Sequence, residues 1–338
     1  MRRLLSPGRI IGILAGVLLI TIGVLYLAPS DDYILLPDRA HPVAPLVKVQ
    51  GGHEPAGAGQ IFFVDVFERR ASELESLFPW IHRGSTLVPA KLLVPPGETD
   101  KSAREADLRA MKVSQQIAAA VALRKLGYHV TATPAGVLVD AVETGSHAAG
   151  VLKPGDVIVA VGGVPTPTIA GLRKQITKLK PGDIATLSVR RGGSTQTLRI
   201  RTVADPLDKS RAIVGFSPDQ AANIKLPVKV QIDAGNVGGP SAGLAFTLQV
   251  LEELGRDVAH GYKVAATGQI ELNGAVTAIG GVKQKTYGVK KSGADVFLVP
   301  VDGGNAKTAR RYAHGLRIIP VTNFAQALRA LAALPPKR

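Results

Sequence analysis

The sequence predicts a transmembrane helix at the N-terminus, followed by an α/β (α+β) domain that is interrupted by a smaller, mainly β domain. Three observations support this prediction. Residues 10–28 form an uncharged apolar run, residues 136–203 form short β-rich segments separated by turns, and the residues beyond 205 alternate strand-like with helix-like segments. Alternation of that kind is typical of α/β and α+β domains.

The composition excludes several classes of protein. An apolar content of 46% over 338 residues is enough to bury real cores, so we expect one to three folded units and not a disordered chain. The absence of cysteine excludes disulfides, thiolate zinc sites and a cysteine nucleophile. The net charge of +15 suits nucleic acid or an anionic membrane surface, but it is spread along the chain and only 4% of the residues are aromatic. We therefore expect no nucleic-acid partner.

The apolar run at the N-terminus is long enough to cross a membrane. At 1.5 Å per helical residue, residues 10–28 reach about 28 Å, close to the hydrocarbon thickness of a bilayer. Arginines precede the run and aspartates follow it, which places residues 1–9 in the cytoplasm as a tail and the remainder outside. We predict a single-pass protein of the cell membrane. A cleaved signal peptide is the alternative, although Tyr26 stands where a small residue would precede a cut after Ala28.

Residues 40–130 begin with a predicted pair of strands. A polar linker follows the apolar run, and the apolar residues 46–49 and 61–66 come next, separated by a Gly-rich turn. That arrangement predicts an antiparallel pair at the edge of a sheet.

The second part of this region predicts a long helix. Residues 101–126 carry apolar side chains at helical intervals, and Gly127 is placed as a C-terminal cap. Before it, residues 70–80 predict a short helix that is broken near a proline, and residues 85–95 predict loop and strand.

The region 136–203 contains a tight turn that leads into a buried strand. The turn is Pro154-Gly155-Asp156, and it is followed by a helical segment at 169–179 and by two strand-like runs around Gly192-Gly193. In its order of elements and in the stretch Leu-Lys-Pro-Gly-Asp-Val-Ile, the segment 131–204 resembles a PDZ domain of the bacterial protease-associated kind.

The PDZ resemblance implies that this domain binds peptides by strand addition beside the 169–179 helix. Gly136 permits a close approach of a peptide backbone, so we expect the binding strand to be Gly136, Val137, Leu138 and Val139. The alternative is a small β domain that serves only as a spacer.

Residues 205–338 predict an alternation of strands and helices. Gly255 closes the first helix, and Asn273-Gly274 forms a hairpin turn. The predicted strands are 228–232, 263–267, 296–300 and 316–321, and the predicted helices are 241–254, one that begins at Val282, 304–313 and 324–334.

A serine lies at the start of the first of these helices, in Gly-Gly-Pro-Ser-Ala-Gly at 238–243. The small flanking residues leave Ser241 accessible, and Pro240 fixes the entry dihedral. The free N–H groups of a helix N-terminus point to where negative charge would develop on a carbonyl oxygen. We therefore expect Ser241 as a nucleophile, with the N–H groups of Gly239 and Ser241 as an oxyanion hole. The simpler interpretation of such a serine is a helix cap.

A lysine-containing motif begins the next helix. It is Gly-Gly-Val-Lys-Gln-Lys at 280–285, and it follows a hairpin that contains Thr267. A lysine buried at the positive end of a helix loses solvation and is acted on by the dipole, and both effects favour the neutral amine. Such an amine is a competent base near neutral pH, whereas an exposed lysine would be an ordinary surface charge. Together the two motifs predict a Ser-Lys dyad.

The order of these motifs, GPSAG and then ATGQIELNGAVTAIGGVKQK, resembles the proteolytic domain of the Lon (endopeptidase La) family. The resemblance implies that Ser241 is the nucleophile, that Lys285 and not Lys283 is the base, and that Thr267 orients the lysine amine. It is strongest over residues 228–300 and continues more weakly to the C-terminus.

The sequence departs from the family pattern at two positions near the dyad. The usual acidic residue three positions before the serine is Gly238 here, and the Glu of the family's TGEI is Gln269, so the local electrostatics are expected to differ. Residues 40–130 weakly resemble the first half of the Lon proteolytic domain. This implies that the PDZ domain is inserted between two halves of one fold, and the alternative is a separate N-terminal domain.

The resemblance implies a serine endopeptidase, with the PDZ domain holding the substrate peptide. The apolar run places the cleavage at the extracytoplasmic membrane face, and we expect the enzyme to be ATP-independent because ATP is not available there and no ATPase motif is found. The sequence contains no GxxxxGK[ST], since the stretch 301–308 lacks the glycine before Lys307. We expect no cofactor and no metal, because the seven histidines form no closely paired set. Membrane or cell-envelope proteins are the expected substrates, and assembly into a homo-oligomer is left open.

Two other functions are weighed against this one. Residues 239–243 also satisfy G-x-S-x-G, the nucleophile elbow of α/β-hydrolases, with His260 or His314 as the triad partner. An esterase of that kind would leave the lysine without a role. The other alternative is an anchored PDZ scaffold whose Lon-like domain is catalytically inactive.

Overall fold

The computed structural model describes residues 7–53, 58–94, 99–143, 145–205 and 208–337. Most of the predicted cytoplasmic tail, with Arg2 and Arg3, lies outside the described residues, as does Pro95. Short 3₁₀ turns interrupt the chain, among them the one at Pro240–Ala242. The α-helices are α1 (Pro7–Leu27), α2 (Glu73–Leu77), α3 (Ala90–Leu93), α4 (Asp100–Lys125), α5 (Ile169–Ile176), α6 (Gly243–Glu253), α7 (Val282–Lys291), α8 (Asn305–Tyr312) and α9 (Phe324–Ala332).

The strands of the described residues fall into two groups along the chain. Those that precede α5 are β1 (Pro29–Pro37), β2 (His41–Pro42), β3 (Val47–Val49), β4 (Gln60–Phe63), β5 (Val66–Ser72), β6 (Thr86–Pro89), β7 (Thr131–Val142), β8 (Val157–Val161) and β9 (Val164–Pro165). Those that follow it are β10 (Ile184–Arg191), β11 (Ser194–Arg201), β12 (Val203–Ala204), β13 (Ala212–Ile213), β14 (Phe216–Lys225), β15 (Val230–Ile232), β16 (Lys263–Ala266), β17 (Gln269–Ile270), β18 (Val276–Thr277), β19 (Val296–Pro300) and β20 (Arg317–Val321).

Helix α1 coincides with the predicted apolar segment. The stretch Gly8–Leu27 is long and apolar enough to cross a membrane, and its apolar side chains are exposed instead of packing on the rest of the chain. A signal sequence has the same length and composition. At its C-terminal end the carbonyl of Ala28 accepts a hydrogen bond from the N–H of Glu73 at 2.9 Å, which fixes the end of α1 to the start of α2.

A five-stranded mixed sheet combines residues from both ends of the chain. Its order is β2-β4-β16-β19-β20, with β2 antiparallel to β4 and all other neighbours parallel. Helix α4 packs against α6 beside this sheet, and Met111 and Val121 of α4 share one buried core with Phe63 and Phe246. Strand β19 is buried at every position, as expected of a parallel strand covered on both faces.

The predicted antiparallel pairing of residues 46–49 with 61–66 is wrong. Strand β3 pairs with β15, whereas β4 pairs with β2 and β16. The segment between β3 and β4 is not a tight turn, because the N–H of His53 donates to the carbonyl of Glu253 at 2.8 Å. That bond attaches the chain to the C-terminal end of α6, and the strands before and after this segment belong to different sheets.

The other predicted elements of this region hold with small shifts. The long helix is α4, and Gly127 follows it with a φ of +84°. The predicted short helix at 70–80 is α2 together with a 3₁₀ turn at Pro79–Ile81. The predicted loop and strand at 85–95 contain β6 but also the short helix α3. Alternation of polar and apolar residues did not distinguish this single helical turn from loop.

A second sheet, of order β5-β1-β6, lies directly after the apolar helix. Both neighbours of β1 are antiparallel to it, so β5 forms one edge. Helix α7 packs against β1, and the fully buried side chain of Ile34 lies in the middle of this strand. The sheet therefore connects the end of α1 with the helix that carries the predicted lysine base.

A third sheet, of order β11-β10-β8-β7-β14, contains the predicted PDZ segment. Its core includes the fully buried side chains of Ile158, Leu187 and Val189. The sheet extends past the predicted limit at residue 204, since β14 pairs with β7. The sequence did not indicate β14 as a strand, because this segment contains a proline and several polar residues.

We predict that Gly288→Ala destabilises the protein by at least about 2 kcal/mol. Alanine is favoured over glycine in a helix by about 1 kcal/mol, but here its Cβ would lie 1.7 Å from the carbonyl oxygen of Asp38. Unfolding by heat, followed by circular dichroism, measures the effect. Lys291→Ala, at the exposed end of the same helix, is the control and should change stability by less than about 0.5 kcal/mol. An unchanged or raised Tm for Gly288→Ala would contradict the packing of α7 on this segment.

Candidate active site

The predicted nucleophile lies on a tight turn that leads into α6. Gly239 has a φ of +79°, a conformation that residues with a side chain rarely adopt, and Pro240 begins the 3₁₀ turn. The first bond within this turn runs from the Gly243 N–H to the Pro240 carbonyl. The Ser241 N–H lies before that bond, and the first N–H groups of a helical turn have no partner within it. Ser241 lines a cleft of about 990 Å³.

Lys285 projects from α7 into the same cleft. Its Nζ lies 2.5 Å from Ser241 Oγ, and the residue is only 3% exposed. Gly281 precedes α7 with a φ of +67°, and a Cβ there would lie 2.5 Å from a methyl group of Val66. The Gly-Gly sequence thus lets the start of α7 approach the start of β5 closely enough to bring Lys285 to the serine.

Thr267, at the end of β16, is the third predicted member of the site. Its Oγ1 lies 3.3 Å from Lys285 Nζ and donates a hydrogen bond to the Ser241 carbonyl at 3.2 Å. The Gly268 N–H donates to the same carbonyl at 2.8 Å. Thr267 is fully buried, so its contacts hold both the amine and the backbone of the nucleophile in place.

Burial lowers the pKa of Lys285 to about 8, because the charged amine has lost its hydration. Asp65 acts in the opposite direction, since its negative charge raises the pKa of Lys285. Asp65 precedes β5 and lines the same cleft. Its own pKa is raised, first by burial and then by the charge of Asp38. Sequence reasoning missed Asp65, which belongs to no motif and comes from a distant part of the chain.

The structure bears on one of the two predicted donors of the oxyanion hole. The Gly239 N–H donates to the main-chain carbonyl of Asp107 at 2.8 Å, so it is not available to a substrate in this structure. The expectation for Gly239 is therefore corrected, because α4 lies close enough to take that donor. The Ser241 N–H stays a candidate.

Helix α4 holds the nucleophile turn at three points that the sequence did not reveal. Besides the Gly239 bond, Ser114 Oγ donates to the Pro240 carbonyl at 3.0 Å, and Arg104 donates to the carbonyl of Asn236. Ser114 is buried. In the sequence, Ser114 stands among the apolar positions of the predicted helix, and this was the available indication that it bonds to another part of the chain.

Gly238 leaves room for a residue of α4. A Cβ at position 238 would lie 2.7 Å from the Cβ of Asp107. Asp107 therefore occupies the space beside position 238, where the family pattern has an acidic side chain. Gln269, the second departure, donates to Glu271 at 3.0 Å and also lines the cleft.

The predicted peptide-binding strand of the PDZ segment has no open edge. Gly136, Val137, Leu138 and Val139 lie in β7, which pairs with β14 on one side and β8 on the other. The prediction for these four residues is thus wrong. Among the described residues the edge strands of this sheet are β11 and β14. The edge beside α5 belongs to β14, where the side chain of Gln220 accepts a hydrogen bond from the N–H of Ile169 at the start of α5.

The two histidines of the esterase alternative lie elsewhere. His260 Nδ1 is 3.8 Å from Asp257, and the ring of His314 is tilted against that of Tyr287 with their centroids 6.0 Å apart. Neither is among the described residues that line the cleft around Ser241. Lys283 also points away, since its amine donates to the carbonyl of Ser85 at 2.6 Å.

Two domain families match this chain. Residues 124–202 match the PDZ domain, and residues 207–333 match the Lon protease (S16) C-terminal proteolytic domain. Lon protease 2 of Bacillus subtilis is 33% identical over 124 residues, which are 36% of this chain and 21% of that protein. The Lon protease of Chloroflexus aggregans is 30% identical over 132 residues, 38% of this chain and 16% of that protein. The matches therefore span about a fifth or less of these relatives.

Among solved structures, the PDZ domain of an SdrC-like protein from Listeria monocytogenes is 26% identical. The match covers 25% of this chain and 87% of that one, with a TM-score of 0.23.

We predict that Lys285 titrates near pH 8 and that Asp65→Asn lowers its pKa. Removing a nearby negative charge disfavours the protonated amine, so the shift is downward. Lysine labelled with ¹³C at Cε and followed by NMR against pH measures the value, with Lys285→Arg to assign the signal. Asp38→Asn is the matched control, because Asp38 acts on Asp65 but is not among the charges that act on Lys285. An unperturbed Lys285, or an upward shift in Asp65→Asn, would contradict this account.

Proposed function

We propose that the chain is a serine endopeptidase with a Ser241-Lys285 dyad, on the premise that it combines a PDZ domain with the proteolytic domain of the Lon family. The observation that carries the proposal is the 2.5 Å contact between the Lys285 amine and the Ser241 hydroxyl. Burial of that amine supplies the lowered pKa that a base needs.

The reaction follows from the geometry. Neutral Lys285 takes the hydroxyl proton as Ser241 Oγ bonds to the scissile carbonyl carbon, and the Ser241 N–H stabilises the oxyanion. The protonated amine then gives its proton to the leaving nitrogen of the substrate. Water, losing a proton to the same amine, attacks the resulting ester, and the amine returns that proton to Ser241 Oγ as the acid product leaves. Thr267 keeps the amine directed at the serine throughout.

We propose that this activity needs no nucleotide. The support is that the dyad is already assembled in the chain as it stands, with Thr267, Gly268 and Ser114 fixing the amine and the nucleophile turn. Substrates would then be segments that are already extended.

We also propose that the PDZ domain is inserted between two halves of one proteolytic domain. Strand β4 pairs with β16 in the same sheet, and α4 packs on α6, so residues from before and after the PDZ segment share one core. Thr131 and Lys225, the ends of the segment, are cross-strand partners. The open edge of β14 beside α5 is the site where the domain would bind a substrate peptide.

The proposed location is the outer face of the cell membrane, with α1 as a single-pass anchor and the N-terminus in the cytoplasm. Exposed apolar side chains along Gly8–Leu27 support the anchor. Membrane or cell-envelope proteins are then the substrate class, because the anchor keeps the cleft near the membrane. An inactive scaffold is disfavoured by the contact between Lys285 and Ser241, and an esterase by the positions of His260 and His314.

We expect the purified full-length chain to cleave an unfolded model protein without nucleotide, with a rate that rises with pH through about 8. Ser241→Ala and Lys285→Ala should each lower kcat by a factor on the order of 10³ or more. Lys283→Ala, on the same helix but directed away from the serine, is the matched control and should retain activity. Cleavage that requires added nucleotide, or that survives Lys285→Ala, would contradict the proposal.

Replacing residues 132–224 with Asn-Gly should leave a folded proteolytic domain. Thr131 and Lys225 already face each other across an antiparallel pair, and Asn-Gly is a favoured two-residue hairpin turn. We expect this variant to cleave short unstructured peptides like the parent and to have a higher KM for substrates that carry a PDZ-binding segment. A chain that fails to fold, judged by circular dichroism and loss of the low Lys285 pKa, would refute the inserted arrangement.

A further inference from the structure

Strand β5 joins the dyad to the end of the apolar helix along the cleft. Its first residue, Val66, lies against Gly281 at the start of the helix that carries Lys285. Its last residue, Ser72, pairs with Pro29, which follows α1. At about 3.3 Å per residue the seven residues of β5 span about 23 Å. Residues 66–70 line the same cleft as Ser241.

The outer edge of β5 is open. Strand β1 pairs with one side of β5, and within the described residues no strand pairs with the other. Across the cleft lie the N-terminal part of α4 and the turn that carries the nucleophile. An extended peptide placed along residues 66–68 of this edge would therefore pass between β5 and α4 and reach Ser241, and at the far end of the cleft it would meet Arg70, which is hydrogen-bonded to Asp100 of α4 at 3.0 Å.

Two prolines indicate which backbone groups of β5 face outward. Pro37 is opposite Val66 and Pro89 is opposite Asp32, and proline cannot donate to a ladder. In antiparallel sheets, hydrogen-bonded and non-hydrogen-bonded residue pairs alternate along the strands. Of the two possible alternations, which we call phases, only one places both prolines in non-hydrogen-bonded pairs.

In that phase the pair of Leu35 with Glu68 is also non-hydrogen-bonded. The N–H and C=O of Glu68, like those of Val66, then point away from β1. The carbonyl of Arg70, two residues further along, already accepts a hydrogen bond from the guanidinium group of Arg69. The open groups nearest the dyad are therefore those of Val66 and Glu68, which are two residues apart, as the partner of an added strand requires.

We propose that the substrate is an extended polypeptide segment that pairs as an added strand with the open edge of β5, through the backbone of Val66 and Glu68. The proposal rests on the proposed function and names the substrate-binding element of that site. Because the other end of β5 meets the end of α1, a segment bound along it runs from the foot of the anchor to the dyad. The substrates that fit are chains that leave the membrane in extended form, cut about seven residues from it.

Binding of a fluorescent substrate peptide to full-length Ser241→Ala, measured by anisotropy, tests the pairing without relying on turnover. Single N-methyl groups are placed at successive peptide nitrogens. Strand pairing predicts that alternate positions weaken binding by tenfold or more while the positions between them change it little. Equal effects at neighbouring positions would overturn the proposal.

Two further variants locate the pairing on β5. Glu68→Pro removes the outward N–H together with the side chain, whereas Glu68→Ala removes only the side chain. We expect Glu68→Pro to weaken binding and to abolish the effect of the matching N-methyl group, and Glu68→Ala to keep that effect. If Glu68→Pro does not fold, photo-crosslinking of a benzophenone-bearing peptide to residues 66–70 replaces it. Sensitivity kept in a folded Glu68→Pro, or crosslinks only to β14, would overturn the assignment.

The direction along β5 is tested in proteoliposomes with active full-length protein. Substrates carry one transmembrane segment and a cleavage site three, seven or fourteen residues beyond it. Fastest cleavage at about seven residues is expected, and a flat dependence would overturn the direction. Failure of the proposed function is distinguishable, since it abolishes cleavage of all three substrates but leaves the binding pattern of Ser241→Ala unchanged.

Discussion

The site depends on keeping the amine of Lys285 out of water and against Ser241. A buried ammonium is costly, so burial lowers its pKa to about 8 and makes the neutral form available. The free-energy cost of burying the amine must be offset by the stability of the structure that holds it in place. Here α7 supplies Lys285, the end of β16 leads into Thr267, and the turn before α6 supplies Ser241, with two buried apolar clusters behind them.

That core requires both ends of the chain. The sheet behind the dyad takes β4 from before the PDZ segment and β16 from after it, and α4 donates or accepts at three points on the nucleophile turn. Asp107 of α4 also fills the space beside Gly238. The region that least resembles the Lon pattern in sequence is thus the one that positions the serine.

The residues of the proposed dyad could be picked out from short motifs, and most of the strand pairing could not be predicted. Ser241, Lys285 and Thr267 lie in motifs at helix and strand ends. The resemblance of those motifs to the Lon proteolytic domain singled out Thr267 and favoured Lys285 over Lys283. The partners of β3 and β4 depend on contacts with residues about 180 to 200 positions away, which no local pattern encodes. The strand β14 was missed for a different reason, because its polar residues and its proline do not follow the pattern expected of a strand.

The PDZ domain is joined at both of its ends to elements that contact the nucleophile. Its first strand, β7, follows α4, whose Ser114 holds the Pro240 carbonyl. Its last strand, β14, continues through β15 into the turn that carries Ser241. The chain therefore enters this domain from the helix that holds the turn of Ser241 and leaves it towards that same turn.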